Sequence, residues 1–564
     1  MKKITLLLMA VLAFLASVKA QDAQNVLTYQ WAHTLEGAGN ATNNVFESKK
    51  SADGCYLVAN KIGTKANLLT AKFDGVKIEG FEGGTYGNSG AGNLYLQKVK
   101  TDGSVAWNVH SSKCDVSDVK VAPTSDGGAM LFIKSRVEAK DGDVAKVLTL
   151  VGADSKTVEV GDASTVIKTN YLVMAKVNGE GTVEWTRLVT GTKKGVAADC
   201  VTLGDCAVDA ADNVYLAGKF VGDVKIAQSA DNTITLTAHN ATSDLYVFKF
   251  DKNGYYLNSL LPDENASVTS QVDRVALDGE TLYLAGQVKG NGLYLADQKV
   301  EASATLSTLF LASIKTTTLD VNYVKTFTSV LNANEVESKK TFAIQNKALD
   351  YIGGNLYLTG GINGGLTADD ITLNTNSTVY KGFVAKVQAS DGKALAMGVN
   401  DQKNNGITNY FGVYEGANTI YALGYDMAQS SSAILFTYDK NTLAKQSEIK
   451  FSNLGSGAIN APLLADGNNL LLMTRGKAAP LTFLGTDTQF EGFSDWGVAY
   501  CLYSISDVPT GIKNLSTSTA DASALVNVYT LSGICVKQNI SAAEATQDLA
   551  KGIYVVGGKK VVVK

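Results

Sequence analysis

The chain has 564 residues, of which 45% are hydrophobic and only 18% are charged, and its formal net charge is −4. This hydrophobic content is enough for a large core and excludes wholesale disorder. The slightly acidic balance excludes the basic surface that nucleic-acid binding requires. The 54 glycines beside only 5 prolines indicate many tight turns, and three histidines leave little material for His-based catalysis.

The first twenty residues have the pattern of an export signal. Lys2 and Lys3 form a short positive region, and an apolar run follows over residues 4–16. That run of about 13 residues is too short to span a bilayer. We therefore expect a signal peptide over residues 1–20, cleavage between Ala20 and Gln21, and an exported mature chain without a transmembrane segment.

Six cysteines in an exported chain permit disulfides without requiring them. Cys55 and Cys501 lie in apolar, strand-like runs, where buried free thiols are expected. Cys200 and Cys206 flank a polar turn and form the one pair whose spacing favours a local bridge. The sequence has no CxxC motif and no His/Cys cluster, so it predicts no metal site, and no motif predicts a cofactor.

The chain is organised as an internal repeat. One short strand pattern recurs at intervals of 50 to 85 residues, at 54–58, 128–132, 213–217, 281–285, 355–359, 419–423 and 469–473. A second strand follows each copy, at 94–99, 171–177, 245–250, 309–314, 383–387, 433–438 and 496–503. Asp-Gly or Asn-Gly turns often come next, since Gly supplies the positive φ that such turns need. A further strand then carries an aromatic residue such as Trp107 or Trp185.

Each repeat, with the apolar stretch that precedes it, predicts four antiparallel strands, called a, b, c and d in chain order. Four-stranded sheets repeated radially are typical of a β-propeller, whereas a row of β-sandwiches would not share one motif at this spacing. The seventh repeat ends after its c strand, and residues 27–35 match a d strand, with Trp31 in the place of Trp107. Pairing of residues 27–35 with 496–503 would close the ring and remove two exposed sheet edges.

We therefore expect an all-β fold. It consists of a seven-bladed β-propeller of four-stranded antiparallel blades over residues 21–508, closed by the N-terminal strand. A small C-terminal β-sandwich-like domain follows over residues 509–564. Alternation along the closing strand predicts Leu27, Tyr29, Trp31 and His33 on one face of the sheet.

Residues 209–252 resemble the repeat of secreted bacterial β-propeller proteins, which opens with Asp-x-x-Gly-Asn-x-Tyr-x-x-Gly and continues with Asp-x-Phe-x-x-Lys. Asp212 occupies the glycine position of the opening, and Asp244 and Lys249 match the later segment. The resemblance implies the fold and no single activity, because propellers host many functions.

The C-terminal residues 528–533, 549–556 and 559–564 are similar to the C-terminal sorting domain of type IX secretion cargo in Bacteroidetes. The resemblance implies that the tail contacts the secretion machinery and directs the protein through the outer membrane, to the surface or the medium. The chain departs from the family in having no Asn-Pro opening, since its last proline is Pro509. If the tail is not a working sorting signal, but an ordinary terminal β domain, the protein stays in the periplasm.

Catalytic motifs are missing from the sequence. It contains no Gly-x-Ser-x-Gly, P-loop or His-Glu-x-x-His motif. The four arginines, at positions 136, 187, 274 and 475, occupy different places in their repeats, which argues against a shared anion pocket. Residues 251–254 lack the spacing and the closing Glu of a calcium loop and predict a hairpin turn. We expect a non-enzymatic protein, with a glycan-active enzyme using paired carboxylates as an alternative.

The links between strands b and c are long in six repeats, and only 425–432 is short. In an antiparallel meander these links share one face, and long loops on one face usually carry function. The hypothesis is that this face binds an extracellular glycan or protein, with Tyr86, Tyr380, Phe490 and Phe493 as aromatic platforms. The rival interpretation is a structural or adhesive cell-surface protein without a small ligand.

Overall fold

The fold is known from a computed structural model, which describes the chain in segments. The described residues are 26–36, 44–63, 71–78, 92–112, 114–137, 145–162, 169–191, 201–239, 243–263, 268–331, 343–375, 377, 379–400, 407–426, 432–453, 463–476, 480–490, 493, 497–507, 525–530, 535–541, 544–549, 552–556 and 559–563. All regular elements in these segments are β-strands.

The N-terminal strand, β1 (Leu27–Glu36), is followed by units that each contain the four strands a, b, c and d, most with a hairpin between b and c. Unit 1 comprises β2 (Asn44–Lys50), β3 (Tyr56–Gly63), the hairpin β4 (Lys72–Phe73) and β5 (Val76–Lys77), β6 (Gly92–Val99) and β7 (Val105–Ser111). Unit 2 comprises β8 (Asp115–Pro123), β9 (Ala129–Val137), the hairpin β10 (Ala145–Val151) and β11 (Thr157–Asp162), β12 (Thr169–Val177) and β13 (Val183–Gly191). Unit 3 comprises β14 (Val201–Val208), β15 (Val214–Phe220), the hairpin β16 (Asp223–Ala227) and β17 (Thr233–Thr237), β18 (Asp244–Phe250) and β19 (Tyr256–Leu260).

The next units repeat this order. Unit 4 comprises β20 (Val268–Asp278), β21 (Thr281–Gly290), the hairpin β22 (Leu293–Leu295) and β23 (Gln298–Val300), β24 (Thr308–Lys315) and β25 (Val321–Val330). Unit 5 comprises β26 (Ala343–Ile352), β27 (Asn355–Asn363), the hairpin β28 (Gly365–Ala368) and β29 (Ile371–Asn374), β30 (Lys381–Gln388) and β31 (Ala394–Val399). In its described residues, unit 6 comprises β32 (Thr408–Glu415), β33 (Thr419–Asp426), β34 (Ser432–Asp439) and β35 (Lys445–Lys450), and the short β36 (Ser452–Asn453) follows it.

Unit 7 is completed by the N-terminal strand. It comprises β37 (Leu464–Asp466), β38 (Asn469–Gly476), the hairpin β39 (Leu481–Phe483) and β40 (Gln489–Phe490), and β41 (Gly497–Ile505). Its fourth strand is β1, which pairs antiparallel with β41 from Leu27 opposite Ile505 to Glu36 opposite Gly497. The predicted pairing of the two ends of the repeat region is thus present.

The closing strand departs from simple alternation. A β-bulge interrupts the β1–β41 register between Tyr29 and Trp31. An extra residue in one strand of a pair turns all later side chains to the opposite face. Leu27, Tyr29 and Ala32 therefore pack in one apolar cluster, and Trp31 packs in another. The expectation that Leu27, Tyr29 and Trp31 share a face is wrong for this reason.

Apolar packing joins each unit to the next. In the described residues, seven buried clusters lie between successive units, and the cluster that contains Leu35, Tyr56 and Leu471 joins unit 7 to unit 1. The a strands of successive units contact each other from β2 to β32, and β37 contacts β2. Sheets stacked face to face in this circular order, with the a strands innermost, form a β-propeller.

An aromatic residue on the d strand of one unit packs on a turn glycine of the next. Trp107 of unit 1 covers Gly181, where an added Cβ would lie 2.9 Å from the indole, and its Nε1 donates to the Gly179 carbonyl at 2.8 Å. Gly181 has φ +85°, a conformation that favours glycine. Trp31 covers Gly103 in the same way, between units 7 and 1.

In unit 3, the a–b turn resembles the repeat of secreted bacterial β-propeller proteins but has Asp212 in place of its glycine. Asp212 has φ +60° there, a left-handed conformation that Asp adopts more readily than most residues. Its carboxylate also accepts hydrogen bonds from the backbone and the hydroxyl of Ser125 in unit 2. The substitution therefore keeps the turn and adds a contact between units.

The C-terminal residues form a second compact unit, Val508–Lys564, separate from Met1–Asp507. Its strands are β42 (Leu525–Thr530), β43 (Cys535–Ser541), β44 (Gly552–Val556) and β45 (Lys559–Val563). They form one antiparallel sheet in the order β43, β42, β44, β45.

Candidate functional site: the charged axis

Each a strand from β2 to β32 contains a β-bulge, which the register with its b strand reveals. The shifts lie between residues 45 and 47, 116 and 118, 203 and 205, 272 and 274, 346 and 348, and 410 and 413. A bulge bends its strand and re-aims the side chains beside it. Here the side chains beside the bulges are largely charged, and the a strands surround the propeller axis.

Seven of these side chains form the axial cluster, defined as Glu47, Lys49, Lys120, Asp205, Arg274, Lys347 and Asp350. Lys49 Nζ of unit 1 lies 3.7 Å from Asp205 Oδ1 of unit 3 and 3.8 Å from Glu47 Oε1. Units 1 and 3 are not neighbours in the ring, so these side chains meet across the axis. Lys120 Nζ of unit 2 lies 3.7 Å from Glu47 Oε2.

Glu47 is the least satisfied member of the axial cluster. Its side chain is 1% exposed, and neither carboxylate oxygen accepts a hydrogen bond within the described residues. The two nearest ammonium groups are beyond the usual N···O hydrogen-bond range of about 2.7–3.2 Å. Buried charged oxygens are costly unless donors satisfy them. Both carboxylate oxygens are therefore left without a direct hydrogen bond from either ammonium group.

The other side of the cluster is held by backbone contacts. Arg274 donates from Nε to the Lys347 carbonyl at 2.5 Å and from Nη1 to the Gly204 carbonyl at 3.1 Å. Asp205 accepts from the backbone N–H groups of Cys206 at 2.9 Å and Val275 at 3.2 Å. These bonds fix one cation and one anion in place and join units 3, 4 and 5.

Asp350 differs from Asp205 in its electrostatic environment. Burial raises the pKa of Asp350 to about 7, because the Val413 N–H at 3.0 Å and the charges of Lys49 and Arg274 offset burial only in part. Burial also raises the pKa of Asp205, but Lys49, Arg274 and Lys120 outweigh it and hold that pKa below its ordinary value. The pKa values of two carboxyl groups in one cluster thus shift in opposite directions, which is typical of acid–base sites.

The pKa values of two lysines in the cluster also shift in opposite directions. Burial opposes the charge of Lys49, but Asp205 and Glu47 outweigh burial and raise its pKa above the ordinary value. Burial, with the positive charge of Arg274, lowers the pKa of Lys347. Chemically, the arrangement offers ammonium donors at Lys49 and Lys120, a carboxylate acceptor at Glu47, and at Asp350 a carboxyl group whose pKa burial raises to about 7.

The sequence reasoning missed this site. It treated Arg274 as isolated because the arginines occupy different repeat positions. The available signal was a charged residue within each of several apolar a strands, for example Glu47 and Asp205. Lys120, Asp205 and Arg274 each lie opposite the last residue of the b-strand pattern, at Phe132, Ala217 and Ala285, so the same place in three units brings these charges to the axis.

The predicted aromatic platforms do not form a binding face in the described residues. Phe493 is 5% exposed and packs in the core cluster between units 6 and 7, where an added Cβ on Gly497 would touch its ring. Phe490 is half-buried, with its ring 5.4 Å from that of Phe483. Tyr380 is half-buried beside strand β30, and its carbonyl accepts from Thr408 N–H. Tyr86 lies outside the described residues.

The long b–c links are also not open loops where the structure describes them. Their hairpins add strands to the d strand of the preceding unit, as β4 pairs with β1 and β10 pairs with β7. β16 pairs with β13 and β28 pairs with β25 in the same manner. The described parts of these links therefore have a structural role instead of the expected role as binding loops, because their hairpins join neighbouring units.

The remaining predicted residues concern processing and disulfides. Cys206 is a buried free thiol and does not support the predicted bridge, while its partner Cys200 lies outside the described residues. Ala20 and Gln21 also lie outside them, so the cleavage site stays a prediction.

In the described segments no group of three His, Cys, Asp or Glu side chains is arranged as metal ligands would be. None of the described residues forms a helix with the length and apolar character needed to cross a membrane.

Comparison with known proteins gives structural likeness only. No protein-family model matches the chain, and no curated protein matches it. Among solved structures, the chain is similar to a quinohemoprotein alcohol dehydrogenase from Comamonas testosteroni, at 10% identity and a TM-score of 0.37, over 85% of this chain and 76% of that one. A quinohemoprotein alcohol dehydrogenase from Pseudomonas putida HK5 gives 10% identity and a TM-score of 0.38, over 86% and 77%. A europium-containing methanol dehydrogenase gives 9% and 0.28, over 71% and 72%.

The expectation of a non-enzymatic binder of glycan or protein is corrected by these comparisons, since all three of these structures are of enzymes. The aromatic platforms and the open loops on which that expectation rested are also not seen in the described residues. At identities of 9–10% and TM-scores below 0.5, the likeness transfers no activity, substrate or cofactor to this chain.

Proposed function

We propose that this chain is an exported, seven-bladed β-propeller that binds a small, hydroxyl-bearing molecule at its axis and exchanges a proton with it. Each four-stranded unit is one blade, and β1 completes the seventh. The axial cluster is the candidate active site, and the C-terminal unit is the sorting domain.

The observation that carries this proposal is the state of Glu47. Both of its oxygens are buried without a hydrogen bond, while Lys49 and Lys120 lie 3.7–3.8 Å away. Polar groups separated by more than about 3.5 Å are often bridged by water, whose place a hydroxyl group of a bound molecule can take. A hydroxyl can donate to the carboxylate and accept from an ammonium group, so a molecule with two or more hydroxyls suits both gaps.

Asp350 supplies the acid–base function of the proposal. A catalytic group is most effective when its pKa lies near the working pH, because both protonation states are then populated. The pKa of Asp350, raised to about 7 by burial, meets that requirement. Lys49 and Lys120 hold the hydroxyl groups, and Arg274, fixed by two carbonyls, positions the surrounding strands.

The location of the protein rests on its two ends. The charged and apolar pattern of residues 1–20 supports export, with residues 21–508 as the propeller. The motifs of residues 509–564, which resemble the type IX sorting domain of Bacteroidetes, support transfer to the surface or the medium through the secretion machinery. The four-stranded antiparallel sheet of the tail is compatible with a small β domain of this kind.

The experiment is a thermal-shift titration of the mature chain against polyols, hydroxy acids and monosaccharides. A molecule that binds only the folded state raises the melting temperature in proportion to the logarithm of its concentration. We expect one of these compounds to do so for the native chain and to lose its effect in Glu47→Leu. Glu415→Gln is the matched control. Glu415 is not a member of the axial cluster, and its carboxylate pairs with Lys440 Nζ at 2.6 Å.

The opposite result is equally informative. Replacing a buried charge network by apolar residues can be neutral or stabilising when the network has only a structural role. If no compound shifts the melting temperature and Glu47→Leu melts at or above the native temperature, the axial cluster is a structural network and the proposal is wrong.

A further inference from the structure

Each d strand contains a β-bulge at the same place, and the third residue after the extra one is called the outer position. The register with the c strand fixes this position, because the same shift interrupts every c–d pair. In units 1 to 7 the outer positions are Val109, Arg187, Leu260, Lys325, Gly398, Ile449 and His33.

The b–c hairpin of the next unit presents one residue at this place, called the hairpin position. It lies opposite the residue that follows the outer position when the pairing of hairpin and d strand is continued toward the hairpin turn. The hairpin positions of units 1, 2, 3, 5 and 7 are Asp74, Val151, Ala227, Asp369 and Gly485.

The outer position of one unit and the hairpin position of the next are matched in charge at four of these places. His33 Nδ1 lies 2.7 Å from Asp74 Oδ2, and Lys325 Nζ pairs with Asp369 Oδ1. The apolar outer residues of units 1 and 6 meet an uncharged hairpin position instead. A basic outer residue is thus accompanied by a carboxylate, and an apolar one is not.

Arg187 does not follow this match. Its hairpin position is Ala227, because β16 continues as a strand through Ala227 to a pair with Thr233. At Asp74 and Asp369 the chain turns back instead, with φ of 48° and 50°. Within the described residues no carboxylate pairs with Arg187. The interface between units 2 and 3 therefore holds a base without the carboxylate that the equivalent interfaces supply.

Arg187 is nevertheless held in place. Its Nε donates to the Asn253 carbonyl at 2.8 Å, and its Cζ lies 3.8 Å from the ring centroid of Tyr255 and 4.9 Å from that of Trp185. Both rings are within the distance of about 6 Å at which aromatic faces attract a cation. The guanidinium is a planar fork of donors that fits a carboxylate. Arg187 and Ala227 are both partly exposed, so a solute can reach this place.

We propose that Arg187 is the centre of a carboxylate-binding site, which takes the anion of a small carboxylic acid from solution. The equivalent interfaces indicate this occupant, because a carboxylate, of Asp74 or of Asp369, meets the base there. At Arg187 the ligand supplies that carboxylate. The site lies on a d strand, whereas the axial cluster lies on the a strands, so its occupancy is independent of the proposed axial ligand.

The test is isothermal titration calorimetry of the full mature chain with benzoate. Benzoate has a carboxylate and no hydroxyl group, so it lacks the feature that the axial cluster requires. We expect saturable binding of benzoate and none of benzamide, which has a similar shape without the charge. Arg187→Gln should weaken binding at least about tenfold, because it removes the charged fork. Lys325→Gln is the matched control and should leave binding unchanged, since Lys325 already has a carboxylate partner.

Two hairpin variants test whether the chain can supply the carboxylate itself. In the first, the Asp-Gly turn of residues 74–75 replaces residues 227–233, which joins Ile226 to Ile234 in the way that unit 1 joins the residues flanking its own turn. Its aspartate should pair with Arg187 and abolish benzoate binding. The second variant carries Asn-Gly in the same place, which forms the same kind of turn without the charge and should retain binding.

Four results would overturn the proposal. Absence of saturable binding would leave Arg187 as a solvated structural cation. Equal binding of benzoate and benzamide would assign the contact to apolar surface, and unchanged binding in Arg187→Gln would place the ligand elsewhere. Loss of binding in both hairpin variants would show that the shape of the hairpin, and not its charge, is what the ligand meets.

Discussion

Leu27 and Ile505 lie directly opposite each other in the β1–β41 pair, although almost the whole propeller separates them along the chain. The first strand of the repeat region thereby completes the sheet of the last unit. Leu27 is 4% exposed and Ile505 is 2% exposed, and both belong to the cluster between units 6 and 7. The closure therefore joins the two ends of the ring by both hydrogen bonds and apolar contacts.

Deleting residues 27–36 should destabilise the whole ring. The deletion removes buried Leu27 and Leu35 and leaves β41 as a bare edge, which promotes aggregation. Loss of one large buried side chain alone costs about 2–5 kcal/mol, out of a total stability of about 5–15 kcal/mol. We expect a lower melting temperature and faster hydrogen exchange in residues 497–505. Truncation at residue 511 is the control and should change propeller melting much less; equal melting of the deleted and native chains would refute the closure.

Trp107 should be a strong stabilising contact between units. It is 7% exposed, covers Gly181 and donates to the Gly179 carbonyl. Trp107→Ala should lower the free energy of unfolding by about 3–5 kcal/mol in urea titrations. Trp185→Ala, at the matching but more exposed position of unit 2, should cost less. Trp185 also packs on a turn glycine, Gly254, so equal losses for the two variants would show that the deeper burial of Trp107 is not the cause.

The pH dependence of stability should report on Asp350. Its pKa is raised in the folded state to about 7, from an ordinary value of 3.8. Between these values the folded state holds more protons than the unfolded state, so this group's contribution to stability falls as pH rises from about 4 to about 7. Asp350→Asn should flatten the fall in melting temperature over that range. An unchanged slope in the variant would show that Asp350 is not the group that titrates there.

The sequence predicted the closure of the ring well, because a missing d strand at one end and a surplus one at the other leave a single pairing. It predicted the faces of that strand less well. The bulge between Tyr29 and Trp31 depends on packing against Tyr503 and Tyr500, which are distant in sequence. Local alternation contains no information on such a shift.

The candidate site was predicted poorly for a related reason. Arg274 and Asp205 lie at equivalent places, opposite Ala285 and Ala217, but a comparison of the four arginines alone does not bring a cation and an anion of different units together. Val224 and Ile226 alternate with Lys225 as in a strand, but the partner strand β13 belongs to another unit. Pairing between units is decided by the ring and not by the local sequence.

The role of the tail can be tested by fractionating cells that express the chain with and without residues 511–564. If the tail is a sorting signal, the truncated propeller should accumulate in the periplasm, whereas the full chain reaches the surface or the medium. Mass spectrometry of the exported protein should find Gln21 at its N-terminus. An identical distribution of the two chains would exclude a sorting role, and residues before Gln21 would refute the cleavage site.

The central claim, a small hydroxylated molecule at the axis, is tested most directly by a crystal structure grown with the compound that gives the largest thermal shift. The account predicts density for that compound between Glu47, Lys49 and Lys120, with hydroxyl groups at about 2.7–2.9 Å from the carboxylate oxygens and the ammonium groups. The contradicting result is an axis without the compound, in which Lys49 and Lys120 contact Glu47 directly at about 2.8 Å.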